Sequence, residues 1–114
     1  MKTIIYHNPR CSKSREALNI LLVHAEDVEV INYLKAGFSE KELIELISKL
    51  GIKPEMLVRK NEPLFKENFS DKKYTDKQWV DILINNPSLI ERPIVVKGKN
   101  AVIGRPLQNV IDIL

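Results

Sequence analysis

The stretch His7-Asn8-Pro9-Arg10-Cys11-Ser12-Lys13-Ser14-Arg15 carries the single cysteine of the chain. A thiol reacts as its thiolate, and helix N-termini and cationic neighbours lower the pKa that governs it. Arg10, Lys13 and Arg15 supply positive charge around Cys11. His7 would add a cation or a hydrogen-bond donor if the loop folds back. By residue type alone a lone cysteine is most often a small buried hydrophobe. A polar loop kinked by Pro9 is a poor place for core filler, so the setting favours a nucleophile. For His7 a loop histidine bonded to backbone is an equal alternative, and His24 reads as structural.

The spacing excludes two chemistries. Cysteine phosphatases use Cys-x5-Arg to wrap an oxyanion, and position 17 here is Ala17, the nearby arginine being Arg15. The two-cysteine redox motif is absent because its second position is Ser14, so any redox cycle must borrow thiols from elsewhere. Three remote arginines, Arg59, Arg92 and Arg105, fall at or near element junctions, the last two each before a proline. Guanidinium forks suit tetrahedral oxyanions, and several around one thiol would make an anion pocket. Taken singly, each is better read as a solvated surface arginine.

The elements that must position these groups follow from pattern. Thr3-Ile4-Ile5-Tyr6 is a short β-branched and aromatic run ending at the turn-forming Asn8-Pro9. From Ser12 to about Ala25 the residues Ala17, Leu18, Leu21, Leu22 and Ala25 recur at helical spacing. That places Cys11 at a helix start, where unpaired amides and the macrodipole favour a thiolate or a bound oxyanion. Val28 to Tyr33 has strand composition, completing a parallel βαβ unit. Ser39 with Glu42 and Thr75 with Gln78 are capping-box patterns, the first opening a stripe of Leu43, Ile44, Ile47 and Leu50, the second one of Trp79, Ile82 and Leu83. Between them Pro54 to Lys60 reads as a short helix. Ile94 to Val96 and Ala101 to Ile103 read as a hairpin, and Pro106 opens a last helix through Leu107, Val110, Ile111 and Leu114. The pattern predicts an α/β fold of about four strands, with a helical insert at about 39–91 in one domain spanning 1–114.

Composition narrows the function classes. Eighteen basic and 15 acidic residues leave a net charge of +3, too mild to announce a nucleic-acid binder and compatible with a small anionic partner. No signal-peptide pattern, membrane-length apolar run or metal-ligand cluster is evident, and the protein is expected in the cytoplasm as a monomer.

The cysteine stretch, together with Leu57-Val58-Arg59-Lys60-Asn61-Glu62, Asn86-Pro87 through Glu91-Arg92-Pro93-Ile94-Val95-Val96, and Ile103-Gly104-Arg105-Pro106, resembles the glutaredoxin-coupled arsenate reductase family. The resemblance spans essentially the whole chain, with its motifs in order. It implies a thioredoxin-like fold, a mixed sheet built βαβ then ββα with a helical insertion. It further implies that Cys11 attacks arsenate, that His7 supports the thiolate, and that Arg59, Arg92 and Arg105 hold the oxyanion. Pro93 matches the proline that such folds place in cis, an isomer X-Pro bonds tolerate. Glutathione is the implied co-substrate and glutaredoxin the implied partner, with no bound cofactor. Ending at Leu114, the chain lacks the C-terminal tail of the best-known members, which keeps open a housekeeping thiol oxidoreductase with another substrate. The other alternative is an RNA-polymerase-binding regulator of the same superfamily, whose two-cysteine switch Ser14 removes.

Overall fold

A computed structural model of the protein describes residues 2–25 and 27–114. Strands β1 (Thr3–Tyr6), β2 (Val28–Ile31), β3 (Ile94–Lys97) and β4 (Asn100–Ile103) hydrogen-bond in the order β2-β1-β3-β4. β1 runs parallel to β2 and antiparallel to β3, which is antiparallel to β4. The mixed four-stranded sheet expected from the sequence is present. Ile5 lies opposite Val30 and Val95, and Val95 opposite Val102. Directly opposed residues share a face, so these side chains form one apolar row. Helices α1 (Ser12–His24) and α6 (Gln108–Ile113) cover its centre, burying Ala17, Leu21 and Val110 completely with Ile5 and Val95, while Val30 on the edge strand stays 47% exposed.

The register also decides where chemistry can sit. Tyr6 pairs with Ile94, and Ile94 with Ile103. The chain leaving β1, the chain entering β3 and the chain leaving β4 therefore meet at one end of the sheet.

The chain divides into two compact units, Met1–Ala36 with Arg92–Leu114, and Gly37–Glu91; the sequence reading put the insert at about 39–91. The first unit holds the sheet, α1, α6 and the short helix α2 (Tyr33–Ala36). The second is helical: α3 (Glu40–Leu50), α4 (Pro63–Asn68) and α5 (Asp76–Asn85), with 3-10 turns at Pro54–Leu57 and Pro87–Leu89. Both expected capping boxes form, with Ser39 accepting from the Glu42 amide and Thr75 from the Gln78 amide. Gly51 ends α3 at φ 68°, a conformation that glycine adopts without a Cβ penalty. Leu43, Leu57 and Leu83 are fully buried in this unit, and Trp79 stacks on Phe65 with ring centroids 6.2 Å apart.

Several details differ from the pattern. β2 stops at Ile31, not Tyr33, because Asn32 turns the chain: its Oδ1 accepts from the Leu34 amide at 3.2 Å and its carbonyl from Lys35 at 3.1 Å. Tyr33 then opens α2 and is buried. The turn at Pro54 ends at Leu57 rather than Lys60, and α4 was not anticipated. Leu22, Ile44 and Ile111 are 61%, 48% and 50% exposed, while Ser14 and Leu46 take core-facing places instead. A short helix on one sheet or one neighbour buries only a narrow stripe, so the second apolar column is left to solvent.

Candidate active site

His7 continues the β1 ladder, its amide donating to Ile31 O at 2.8 Å. The chain then reverses over Asn8-Pro9-Arg10-Cys11, a turn closed by the Cys11 amide on Asn8 O at 3.0 Å. Asn at the first turn position and Pro at the second suit this geometry, and Asn8 Oδ1 accepts from the Arg10 amide at 3.0 Å. Arg15 Nη1 braces the turn on Pro9 O at 2.9 Å. Cys11 is the N-cap of α1, with extended φ −94° and ψ 123°, and its carbonyl accepts from the Arg15 amide as the helix begins. The expectation of a cysteine at a helix start therefore holds in the geometry.

Cys11 is 8% exposed and lies at the sheet end where β3 begins and β4 finishes. The Arg105 guanidinium reaches it, Nη2 standing 3.5 Å from Sγ, while Arg105 Nε donates to Arg92 O at 2.9 Å. Burial is the largest single influence on the Cys11 pKa and pushes it up. The Ser14 amide, the Arg105 guanidinium, the charge of Arg92 and the Lys13 amide together outweigh burial and hold the thiol below its ordinary range. Of the basic residues near in sequence, Lys13 points its ammonium at Glu16, 3.4 Å away. The useful positive charge comes from the far end of the chain.

The hairpin end is tightly built. The Gly104 amide donates to Pro93 O at 2.8 Å, and Asn109 Nδ2 holds Ile103 O at 3.0 Å. A Cβ on Gly104 would stand 2.8 Å from Pro93 Cγ and 2.9 Å from Val110 Cγ2, so only glycine lets the two segments close. The Arg92–Pro93 and Arg105–Pro106 peptide bonds are both cis.

His7 reaches the cysteine loop through Ser14. Its Nδ1 lies 2.6 Å from Ser14 Oγ, and the same oxygen accepts from the Asn8 amide at 3.0 Å. Burial, then the charge of Arg15, lowers the His7 pKa and keeps the ring neutral at pH 7. A neutral ring accepting the Ser14 hydroxyl proton leaves Ser14 free to accept from Asn8, so all three polar groups are satisfied. The sequence allows His7 to act as a cation or as a hydrogen-bond donor beside the thiol; burial disfavours the cation. In the sequence Ser14 stands out only as an absent cysteine, although Ser14, Ala17 and Leu21 fall at the helical spacing of a buried face.

Arg59 belongs to the unit Gly37–Glu91. There its amide donates to Leu89 O at 2.7 Å, its Nη2 pairs with Glu62 at 2.6 Å and its Nη1 donates to Ser88 O at 3.2 Å. Among the described residues no three His, Cys, Asp or Glu side chains gather as a metal site, and no helix is long and apolar enough to cross a membrane.

A family model described as ArsC matches residues 6–113. The chain belongs to the ArsC family. Arsenate reductases of Acidiphilium multivorum and Escherichia coli are each 40% identical to this ArsC-family chain over 111 residues, covering 96% of it and 79% of their own length. An Escherichia coli protein named YfgD, described as uncharacterized, is 42% identical over 112 residues, 96% of this chain and 94% of that one. The structure of an arsenate reductase from Vibrio cholerae is similar with a TM-score of 0.93 and 41% identity, covering 100% of this chain and 98% of that one. The fold is thioredoxin-like, as the family resemblance implied.

Proposed function

We propose that this chain is an arsenate reductase in which the Cys11 thiolate is the nucleophile. The observation that carries the reading is the Cys11–Arg105 contact at 3.5 Å, made at the N-terminus of α1 with Arg92 adjoining. A thiolate with guanidinium groups beside it can both attack arsenic and hold the oxygens on which charge collects. Arg92 and Arg105 bind the oxyanion. His7 and Ser14 position the loop. Arginine forks are suited to this task because two parallel N–H groups match two oxygens of a tetrahedral anion.

The chemistry balances with external thiols. Cys11 sulfur bonds to arsenic as one arsenate oxygen, protonated, leaves as water. Glutathione forms a second sulfur–arsenic bond, its thiol proton departing with another oxygen. A glutaredoxin thiolate then attacks the glutathione sulfur, and the broken bond leaves its electron pair on arsenic, reducing As(V) to As(III). The two sulfurs become a mixed disulfide, and water releases arsenite and restores the Cys11 thiol. Two external thiols thus supply the two electrons, and one cysteine suffices.

The test is arsenite production from arsenate with glutathione and glutaredoxin. Wild type turns over, and Cys11→Ser abolishes the reaction. Arsenite formation by Cys11→Ser equal to wild type would overturn the proposal.

A further inference from the structure

Arg105 is carried by the link between β4 and α6, Gly104-Arg105-Pro106-Leu107. Two of these residues loosen the hold of the backbone on itself: Gly104 has no Cβ to limit its rotation, and Pro106 has no N–H to donate. The Gly104 amide is anchored on Pro93 O at 2.8 Å, which fixes where the link begins. At the other end the Asn109 and Val110 amides take Pro106 O and Leu107 O, each at 3.0 Å, as the helix starts. The carbonyls of Ile103 and Arg105 both accept from one side chain. Asn109, in the first turn of α6, turns its Nδ2 back on the link and donates to Ile103 O at 3.0 Å and to Arg105 O at 3.3 Å. A carboxamide nitrogen has two hydrogens, and each meets a carbonyl here, which also decides which end of the side chain faces the link.

The Arg105 side chain leaves this clamped backbone and is exposed, a setting in which a long side chain ordinarily keeps many rotamers. Two contacts select one of them: Nε donates to Arg92 O at 2.9 Å, and Nη2 stands 3.5 Å from Cys11 Sγ. Both distances depend on where the Arg105 backbone lies, and a rotation about Gly104 would swing the whole side chain away. We infer that Asn109 is a positioning residue: by pinning the carbonyls on both sides of Gly104, it sets the Arg105 guanidinium against the Cys11 sulfur. The inference rests on the reading of Cys11 as the nucleophile with Arg105 beside it. The other charged or titratable groups about the cysteine loop are Arg92 just ahead of β3, Lys13 turned to Glu16, Arg15 turned to Pro9 O, and His7, which meets the loop through Ser14 Oγ. A guanidinium released to about twice its distance keeps half of a fully screened attraction, which lowers the ratio of thiolate to thiol roughly threefold at a fixed pH.

The pH dependence of Cys11 alkylation by iodoacetamide tests this without arsenate or any partner. Asn109→Leu, close in size and without a donor, should displace the midpoint upward, with about threefold less thiolate at a fixed pH below it. Asn109→Ser, whose single hydroxyl hydrogen cannot serve two carbonyls, carries the same expectation should leucine prevent folding. Gln108→Leu removes a neighbouring hydrogen bond of α6, that to Asp112 at 2.8 Å, and should leave the midpoint in place. The deciding variant is Asn109→Leu/Arg105→Ala, whose curve should coincide with that of Arg105→Ala alone, because the clamp then has no guanidinium to place. In turnover Asn109→Leu should raise the arsenate KM about threefold, with the glutathione KM held within about twofold. An unmoved midpoint in Asn109→Leu, an equal shift in Gln108→Leu, or a shift that adds in full to that of Arg105→Ala would overturn the inference and leave arsenate reduction standing. The expected coupling in a protein that makes no arsenite would sustain the positioning role and reject the reductase reading.

Discussion

Replacing Arg105 with alanine removes the guanidinium whose Nη2 stands 3.5 Å from Cys11 Sγ. At that distance two unit charges attract by about 1.2 kcal/mol if water screens them fully, and by about 5 kcal/mol at an effective dielectric constant near 20. Arg105 is exposed, so the weaker figure is the appropriate floor. A loss of about 1.2 kcal/mol lowers the ratio of thiolate to thiol roughly eightfold at a fixed pH. The rate of alkylation by neutral iodoacetamide falls less than that, because a thiolate of higher pKa is a better nucleophile. With a Brønsted coefficient near 0.45 each remaining thiolate reacts about 2.5 times faster, leaving a net decrease of about threefold in acid. Above the midpoint, where both proteins are fully ionised, the variant should react about 2.5-fold faster than wild type. The two pH–rate curves must therefore cross, with the Arg105→Ala midpoint displaced upward. Superimposable curves would refute the claim that Arg105 draws charge onto the thiol.

Two further outcomes test the surroundings of the site. His7 is buried with a lowered pKa, so its contribution to stability is complete above the unfolded value of about 6.5 and is lost as pH falls through that value toward the folded one. Urea melts between pH 7.5 and 5.5 should show wild type losing stability more steeply than His7→Gln, by up to about 1.4 kcal/mol per pH unit; equal slopes would contradict this. Gly104→Ala must displace Pro93 or Val110, whose carbons would stand 2.8 and 2.9 Å from the new Cβ, and should lower unfolding stability by about 1 to 3 kcal/mol. An unchanged urea midpoint would show that the hairpin end has slack.

Much of the scaffold was legible because its signals are local. The capping boxes at Ser39 and Thr75 need only side chains three residues apart, and the turn after β1 needs only Asn8 and Pro9. What failed was set by contacts between distant segments or by elements too short to show a period. α4 spans Pro63–Asn68, less than two turns, and one buried Phe65 cannot announce a stripe. Tyr33 has strand composition, yet Asn32 caps the chain into α2 before it. Ser14 illustrates the same limit at the site. Its place on the buried face of α1 followed from spacing, but its partners His7 and Asn8 depended on how the turn folds back. The cationic neighbours in sequence misdirected the electrostatics, since Arg105 lies 94 residues from Cys11 and meets it only because β1, β3 and β4 share one sheet end.

The central claim is that an oxyanion binds where Cys11 reacts. Protection of Cys11 from iodoacetamide by arsenate, measured across arsenate concentration, tests it most directly. The account predicts saturable protection in wild type, weakened in Arg92→Ala and in Arg105→Ala. An alkylation rate independent of arsenate at every concentration would contradict it.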